Sequence, residues 1–583
     1  MSVSRYLPFS SRTTNTQAVT YLLAVCLFSI SFLVFLNSSV SFVITDLIGI
    51  KEGVGDLVGT LGFVDELVAL IACPAWGILS DRVGVRIVCV LGYAIVGVAL
   101  ILFVQAKNVF PQLLLARLFF SVGGAATATM VTAILPSMTG RETDNSEDSY
   151  ISRTALPGNV RHSIAARSLD SETTIAPANY NTQIPSEPSR TNKQTGSSPP
   201  RLAGLVGLFT GCGALVALAV FLPLPAQFSQ IKGVSQGQAV SDSFYVVGVV
   251  ALLVSCFCFI GLRGLADEDG KGWGVLLGKA VPREYHAEES NDFGRGRDQA
   301  KGFQPYWILL RDSTVLGFKD AQIGLGYLGG FVARASSVGI SLFIPLYINS
   351  YFIGHGFCQG SPNDPSPELK KECSRAYVLA AELTGVSQLI ALLCAPVFGY
   401  LSDRFRRFNV PLLTASIFGI VGYTGFAQLV SPEPQDIDGR GGSPAVFIMV
   451  ALIGISQIGA IVCSLGLLGR GVLGAEGGYN LSAQLPDAID SIDRPLNDAP
   501  ETAPLMGSPK SSKASSRSHL KGSIAGVYSL SGGAAILLLT KLGGYLFDNV
   551  SNGAPFYMMA IFNAILLVIG VGAGVYRELQ RKR

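Results

Sequence analysis

Charge is scarce in this 583-residue chain: Asp, Glu, Lys and Arg make up 14% of it against 49% hydrophobic residues, and the mean hydropathy is +0.44. A soluble globular chain carries about a quarter charged residues, so this balance excludes an ordinary soluble domain and points to a membrane protein. Histidine is scarcer still, with four in all, and no His/Cys cluster has metal-ligand spacing, so neither a metal centre nor another cofactor is expected. No G-x-x-x-x-G-K-[ST] run exists, which argues against ATP-driven chemistry, and no enzyme signature replaces it. The formal net charge is only +3 and no Lys/Arg cluster is interleaved with aromatics, so a nucleic-acid partner is set aside.

What the chain has is long apolar runs. A hydrocarbon core about 30 Å thick needs roughly 20 apolar residues in a helix. Windows of that kind lie near 18–45, 54–80, 87–106, 111–137, 202–224, 243–265, 319–350, 376–402, 408–431, 444–468, 520–547 and 554–576. Lipid offers the backbone no hydrogen-bond partner, so the runs are expected as helices, giving an all-α membrane protein with twelve spans. The 66 glycines fit close helix packing. The first run is too long for a signal peptide and is followed by eleven more.

An even number of spans puts both termini on one side, and Arg82, Arg86, Arg404, Arg406, Arg407 and Arg577 crowd that side, which marks it as cytosolic. The expected layout is a cytosolic tail at 1–17, six spans over 18–265, a cytosolic linker at 266–318, six more over 319–576 and a tail at 577–583. Three long polar segments, 138–200, 266–306 and 469–519, then face the cytosol; the first and third are rich in Ser, Thr, Pro and Asn, too poor in apolar residues to fold alone, and open to a kinase. "ETAPLM" (501–506) resembles an acidic dileucine-type sorting signal, Glu501 with Leu505 and Met506; it implies a sorting adaptor and favours a vacuolar or other acidic organelle membrane over the plasma membrane. All but two of the ten cysteines fall inside windows as small packing residues. The other two, Cys358 and Cys373, share the loop after window seven on the opposite face, where a disulfide and two free thiols are both open.

The chain repeats itself. Laying "LVALIACPAWGILSDR" (67–82) over "LIALLCAPVFGYLSDR" (389–404) matches Leu67, Pro74, Gly77, Ser80, Asp81 and Arg82 to Leu389, Pro396, Gly399, Ser402, Asp403 and Arg404. "GLFTGCG" (207–213) falls on "GVYSLSG" (526–532) at nearly the same offset, so two six-helix halves are expected. The run G-x-L-S-D-R-x-G-x-R at 77–86, with its degenerate second copy at 399–407, resembles the signature loop of the major facilitator superfamily. That resemblance implies a twelve-helix secondary transporter that rocks around a midplane site. Gly77, Asp81, Arg82, Gly84 and Arg86, with Gly399, Asp403 and Arg404, would then form a cytosolic latch; Val85 stands where the family usually has a basic residue.

A charge deep in a span is costly and is a functional candidate. Asp65 and Glu66 lie about ten residues into span two; either can carry a proton or contact substrate, or both can be structural ion-pair partners. Asp65 shares its helix face with Leu61, Ala72 and Trp76, Glu66 with Gly62, Cys73 and Gly77. Arg117, in "RLFFSVGGAA", resembles in part the fourth-helix motif of proton-coupled exporters, where the arginine influences proton exchange; "GLFTGCGAL" (207–215) keeps Gly207 and Gly211 of the exporters' fifth-helix motif but has Cys212 in place of proline. Arg334 can bind an anion or neutralise a carboxylate, Glu382 is shallow enough to reach water, and Lys541 either pairs with Asp65 or Glu66 or snorkels. Together these residues imply a proton-coupled transporter of a small solute; the alternative is a non-transporting sensor or adaptor that signals through its cytosolic loops.

Overall fold

The twelve apolar runs form helices because a lipid-facing backbone can bond only within its own segment. The computed structural model describes residues 7–10, 13–50, 54–139, 198–231, 233–265, 268, 271, 306–355, 374–405, 409–435, 441–473 and 520–582. Among them are twelve helices long and apolar enough to span a membrane, and no strand. They are α1 (Asn15–Ile48), α2 (Leu57–Val83), α3 (Val85–Phe103), α4 (Val109–Thr139), α5 (Pro199–Phe228), α6 (Gln236–Gly261), α7 (Ala321–Gly354), α8 (Val378–Arg404), α9 (Val410–Ala427), α10 (Ala445–Leu473), α11 (Lys521–Asn549) and α12 (Ala554–Gln580). Most of the three polar segments, the pair Cys358 and Cys373, and 501–506 lie outside the described residues.

Polar caps, not the edges of the hydropathic windows, set several of the helix starts. Thr14 and Gln17 form a reciprocal capping box at α1, and the Asn108, Ser235 and Asp320 side chains accept from first-turn amides of α4, α6 and α7. The linker also holds a helix at Tyr306–Lys319, too short and polar to register as an apolar window.

The duplication extends to backbone irregularities. A π-helical turn at Ala217–Phe221 in α5 recurs at Leu539–Gly543 in α11, at the offset that lays 67 on 389. Another at Thr20–Cys26 in α1 recurs from Gly339 in α7, at the offset that lays 207 on 526. Such turns insert one residue into the hydrogen-bond ladder and bend the helix.

We call the end that carries the 77–86 and 399–407 loops the inner end. There the halves meet along α2–α11 and α5–α8, with α10 also against α5. One apolar cluster runs across this junction, joining Leu135, Leu202 and Val206 to Ala395, Val462 and Leu468. Toward the outer end the second half has a core of its own around Phe343, Tyr423, Phe426 and Phe556.

Candidate functional site

Helix α2 carries two carboxylates that face different neighbours. On one face, Trp76 Nε1 donates to the Val122 carbonyl at 2.8 Å, and Asp65 lies nearly three turns along toward α4. Asp65 Oδ2 accepts from Arg117 of α4 at 2.5 Å, and the same Arg117 nitrogen donates to Asn37 Oδ1 of α1 at 2.5 Å. Ser121 Oγ donates to the Asp65 carbonyl at 2.8 Å. Arg117 is 3% exposed, and its Nε and Nη1 have no hydrogen-bond partner among the described residues. Burying an ion pair costs desolvation that Coulomb attraction must repay, so this triad sits where its geometry is closely held.

On the other face Glu66 is half-buried and makes no hydrogen bond or ion pair with any described residue; Asp65, Arg334 and Arg117 act on it electrostatically. Arg334, near the middle of α7, comes from the opposite half. Its aliphatic stem packs on Gly532 of α11, where a Cβ would lie 2.7 Å from Arg334 Cγ. Arg334 lines a cavity with Ser29, Phe120, Gly124 and Thr127 of the first half, and it too has no hydrogen bond or ion pair with a described residue. A carboxylate and a guanidinium from different halves therefore stand toward the middle of their helices without a hydrogen bond or ion pair to a described residue, while Asp65 and Arg117 are spent on each other.

The inner end is closed by polar contacts between the halves. Asp81, at the end of α2, accepts from the Gly522 and Ser523 amides of α11, each at 2.7 Å, and from Ser523 Oγ at 2.6 Å. First-turn amides lack intrahelical partners and carry the positive end of the helix dipole, so they suit an anion. Asp403 holds the equivalent place on α8, but its partner α5 begins with Pro199 and Pro200, which offer no N–H. Side chains substitute: Ser198 Oγ donates to Asp403 Oδ1 at 2.6 Å, and Arg201 Nε pairs with Oδ2 at 2.7 Å.

Glycines let both junctions close. A Cβ on Gly77 would lie 2.8 Å from Gly526 Cα, and one on Gly399 would lie 2.9 Å from Gly204 Cα and from the Pro200 carbonyl oxygen. Gly84, at φ 103°, breaks the chain between α2 and α3 in a backbone region closed to most side chains. The break frees the Val85 amide to donate to Glu268 Oε2 at 2.8 Å. The other Glu268 oxygen pairs with Lys521 of α11 at 2.8 Å, and Lys521, 1% exposed, also donates to Ser137 of α4 at 2.7 Å.

Arg86 stays within its own half, where its Nε donates to the Phe259 carbonyl at 2.9 Å and its guanidinium stacks on the Phe259 ring. It makes no bridge there that rocking would have to break. Lys541 rests 3.9 Å from the Phe63 ring centroid instead of on either carboxylate. Glu382 and Arg404 are exposed and Arg82 is half-buried.

The sequence pattern missed Asn37, Ser198, Arg201, Glu268 and Lys521. A lone amide in an apolar run would have flagged Asn37, and a lysine opening window eleven would have flagged Lys521. No pattern marks Glu268, which acts through the break at Gly84.

The arrangement defines a multi-pass helical membrane protein of two repeated halves, sealed together at one end. Residues 27–145 match the model of the Major Facilitator Superfamily. No curated protein matches the chain. Among solved structures, the MFS proton:xylose symporter XylE, bound to 6-bromo-6-deoxy-D-glucose, is 12% identical with a TM-score of 0.50, covering 95% of this chain and 94% of that one. The human organic anion transporter MFSD10 is 11% identical with a TM-score of 0.49, covering 95% and 99%. The E. coli fucose:proton symporter FucP is 11% identical with a TM-score of 0.49, covering 95% and 98%. Residues 27–145 thus carry the family pattern, and the fold over 95% of the chain is like that of XylE.

Proposed function

We propose that this protein is a secondary active transporter of a small solute, working by alternating access and coupled to protons through Glu66. The observation that carries the proposal is the pair of uncommitted charges at the midplane, Glu66 from one half and Arg334 from the other. Charges at that depth without a hydrogen-bond or ion-pair contact are costly, which suits an occupant that moves in and out. Arg334 suits an anionic group on the solute, and Glu66 suits a proton. Asp65 and Arg117 hold α2 against α4 and set the field at Glu66. The Asp81 and Asp403 junctions are the latch of the inner-closed, outward-facing state, and rocking exchanges them for contacts at the other end. The arginine-rich inner end faces the cytosol, and an acidic organelle is the favoured membrane.

The test is purified protein in proteoliposomes with an imposed pH gradient, with lumenal pH followed as amines, amino acids, sugars and organic anions are added. Substrate-dependent proton movement that is lost in Glu66→Gln, with solute binding retained, supports the mechanism. Solute flux that runs unchanged in Glu66→Gln refutes the coupling, and binding without any flux refutes transport in favour of a sensor.

A further inference from the structure

We propose that Ser198 is a phosphorylation site and that a phosphate there releases the α5–α8 junction. The sequence Ser198-Pro199-Pro200-Arg201 places a proline directly after a serine and a basic residue three positions on, a pattern that proline-directed kinases accept. The structure gives this serine an unusual post. It is the residue before the first turn of α5, in extended conformation at φ −119° and ψ 118°, yet its side chain caps no amide of its own helix. With proline at the first two helical positions there is little to cap, and the hydroxyl crosses to Asp403 of the other half.

In the modification the kinase transfers the γ-phosphoryl group of ATP to Ser198 Oγ, the hydroxyl proton passes to the kinase base, and ADP leaves. A donor facing Asp403 thereby becomes a group of charge about −1.5 to −2 with three acceptor oxygens. It now repels the carboxylate that the hydroxyl had served. Arg201 lies one turn into α5, within reach of a phosphate at residue 198. The phosphate is then satisfied within α5, while Asp403 loses both Ser198 and Arg201.

Ser198 is 2% exposed while the inner end is shut. A kinase reaches it only when the halves have parted there, so the modification marks the open inner end and opposes reclosure. This step rests on the alternating-access proposal, but its tests need no transport.

Full-length protein is incubated with a proline-directed kinase and ATP, as wild type and as Asp81→Asn, and the sites are located by phosphopeptide mass spectrometry. Incorporation at Ser198 is expected, several-fold faster in Asp81→Asn, whose α2–α11 junction is weakened. No phosphate at Ser198 in either protein overturns the assignment. Hydrogen–deuterium exchange is then measured at 520–526, the start of α11 in the other junction. Ser198→Glu is expected to raise exchange there several-fold, and Ser198→Glu/Asp403→Asn to return it toward wild type. An unchanged signal, or a rise that persists in the double variant, overturns the release mechanism. Both results stand apart from the liposome assay: proteoliposomes without flux refute transport and leave this switch intact.

Discussion

Between Asp65 and Glu66 the helix turns by about 100°, enough to send one carboxylate to α4 and the other toward the opposite half. Asp65 is bound in an ion pair with Arg117, which itself is 3% exposed and also bonded to Asn37. Removing one member strands a buried charge, so Arg117→Leu is expected to destabilise the protein by about 3–5 kcal/mol. The double variant Asp65→Asn/Arg117→Leu is expected to recover most of that loss. Thermal unfolding in detergent compares the two, and equal destabilisation by the single and double variants would show that no pairing term exists. Lys541 gives the contrast. Its ammonium lies over Phe63 at 3.9 Å, an interaction worth about 0.5–1 kcal/mol at an exposed site. Lys541→Met is therefore expected to change stability by less than about 1 kcal/mol and to leave proton coupling intact, and lost coupling in the liposome assay would contradict its placement.

At the scale of the element, the helix starts decide the latch. The hydrogen bonds from α11 amides to Asp81 are charge-assisted, each worth roughly 1.5–3 kcal/mol. Asp81→Asn keeps one acceptor but loses the charge, and is expected to shift the inner-closed population by about ten- to hundredfold. Amide exchange at Gly522 and Ser523 reads that shift directly, and wild-type protection in the variant would exclude Asp81 as a latch. Gly399→Val tests the crossing itself. The added side chain would meet Gly204 Cα and the Pro200 carbonyl oxygen, backbone that cannot step aside, at a cost of about 1–3 kcal/mol to the closed state. Raised inner-end exchange with an unchanged fold is the expected outcome. Much of this was legible beforehand: the spans follow from apolar length, and the halves from the match of 67–82 to 389–404. Asp81 could be marked as part of a latch because it lies in the 77–86 run that carries the family resemblance, but its partners, amides far along the chain, could not be read there. The partners of Asp403 could not be foreseen, because they depend on prolines in another helix denying it amides. Glu268 was equally hidden, since its role comes from the positive φ at Gly84 and a lysine far along the chain.

At the scale of the molecule, the inter-half hydrogen bonds and ion pairs between described residues lie from the inner end to Thr129–Ser529, while the outer second half keeps a core of its own. On the alternating-access proposal, halves held this way are in the inner-closed state. Lys521→Met leaves Glu268 to Lys271 and the Val85 amide but removes its contact to the other half, so it is expected to move the equilibrium toward the inner-open state. In proteoliposomes this variant is expected to alter the rate of exchange without abolishing coupling; complete loss of coupling would place Lys521 on the ion pathway instead.

The two junctions answer differently to dissolved salt. Asp403 is held partly by Arg201, whose side chain is 45% exposed, so mobile ions screen that attraction. Asp81 is held by neutral amides and a hydroxyl, which carry no net charge for ions to mask. Rising ionic strength therefore loosens the α5–α8 seam ahead of the α2–α11 seam. The bundle parts as a zipper from one flank, with α2 and α11 as the hinge side of the door.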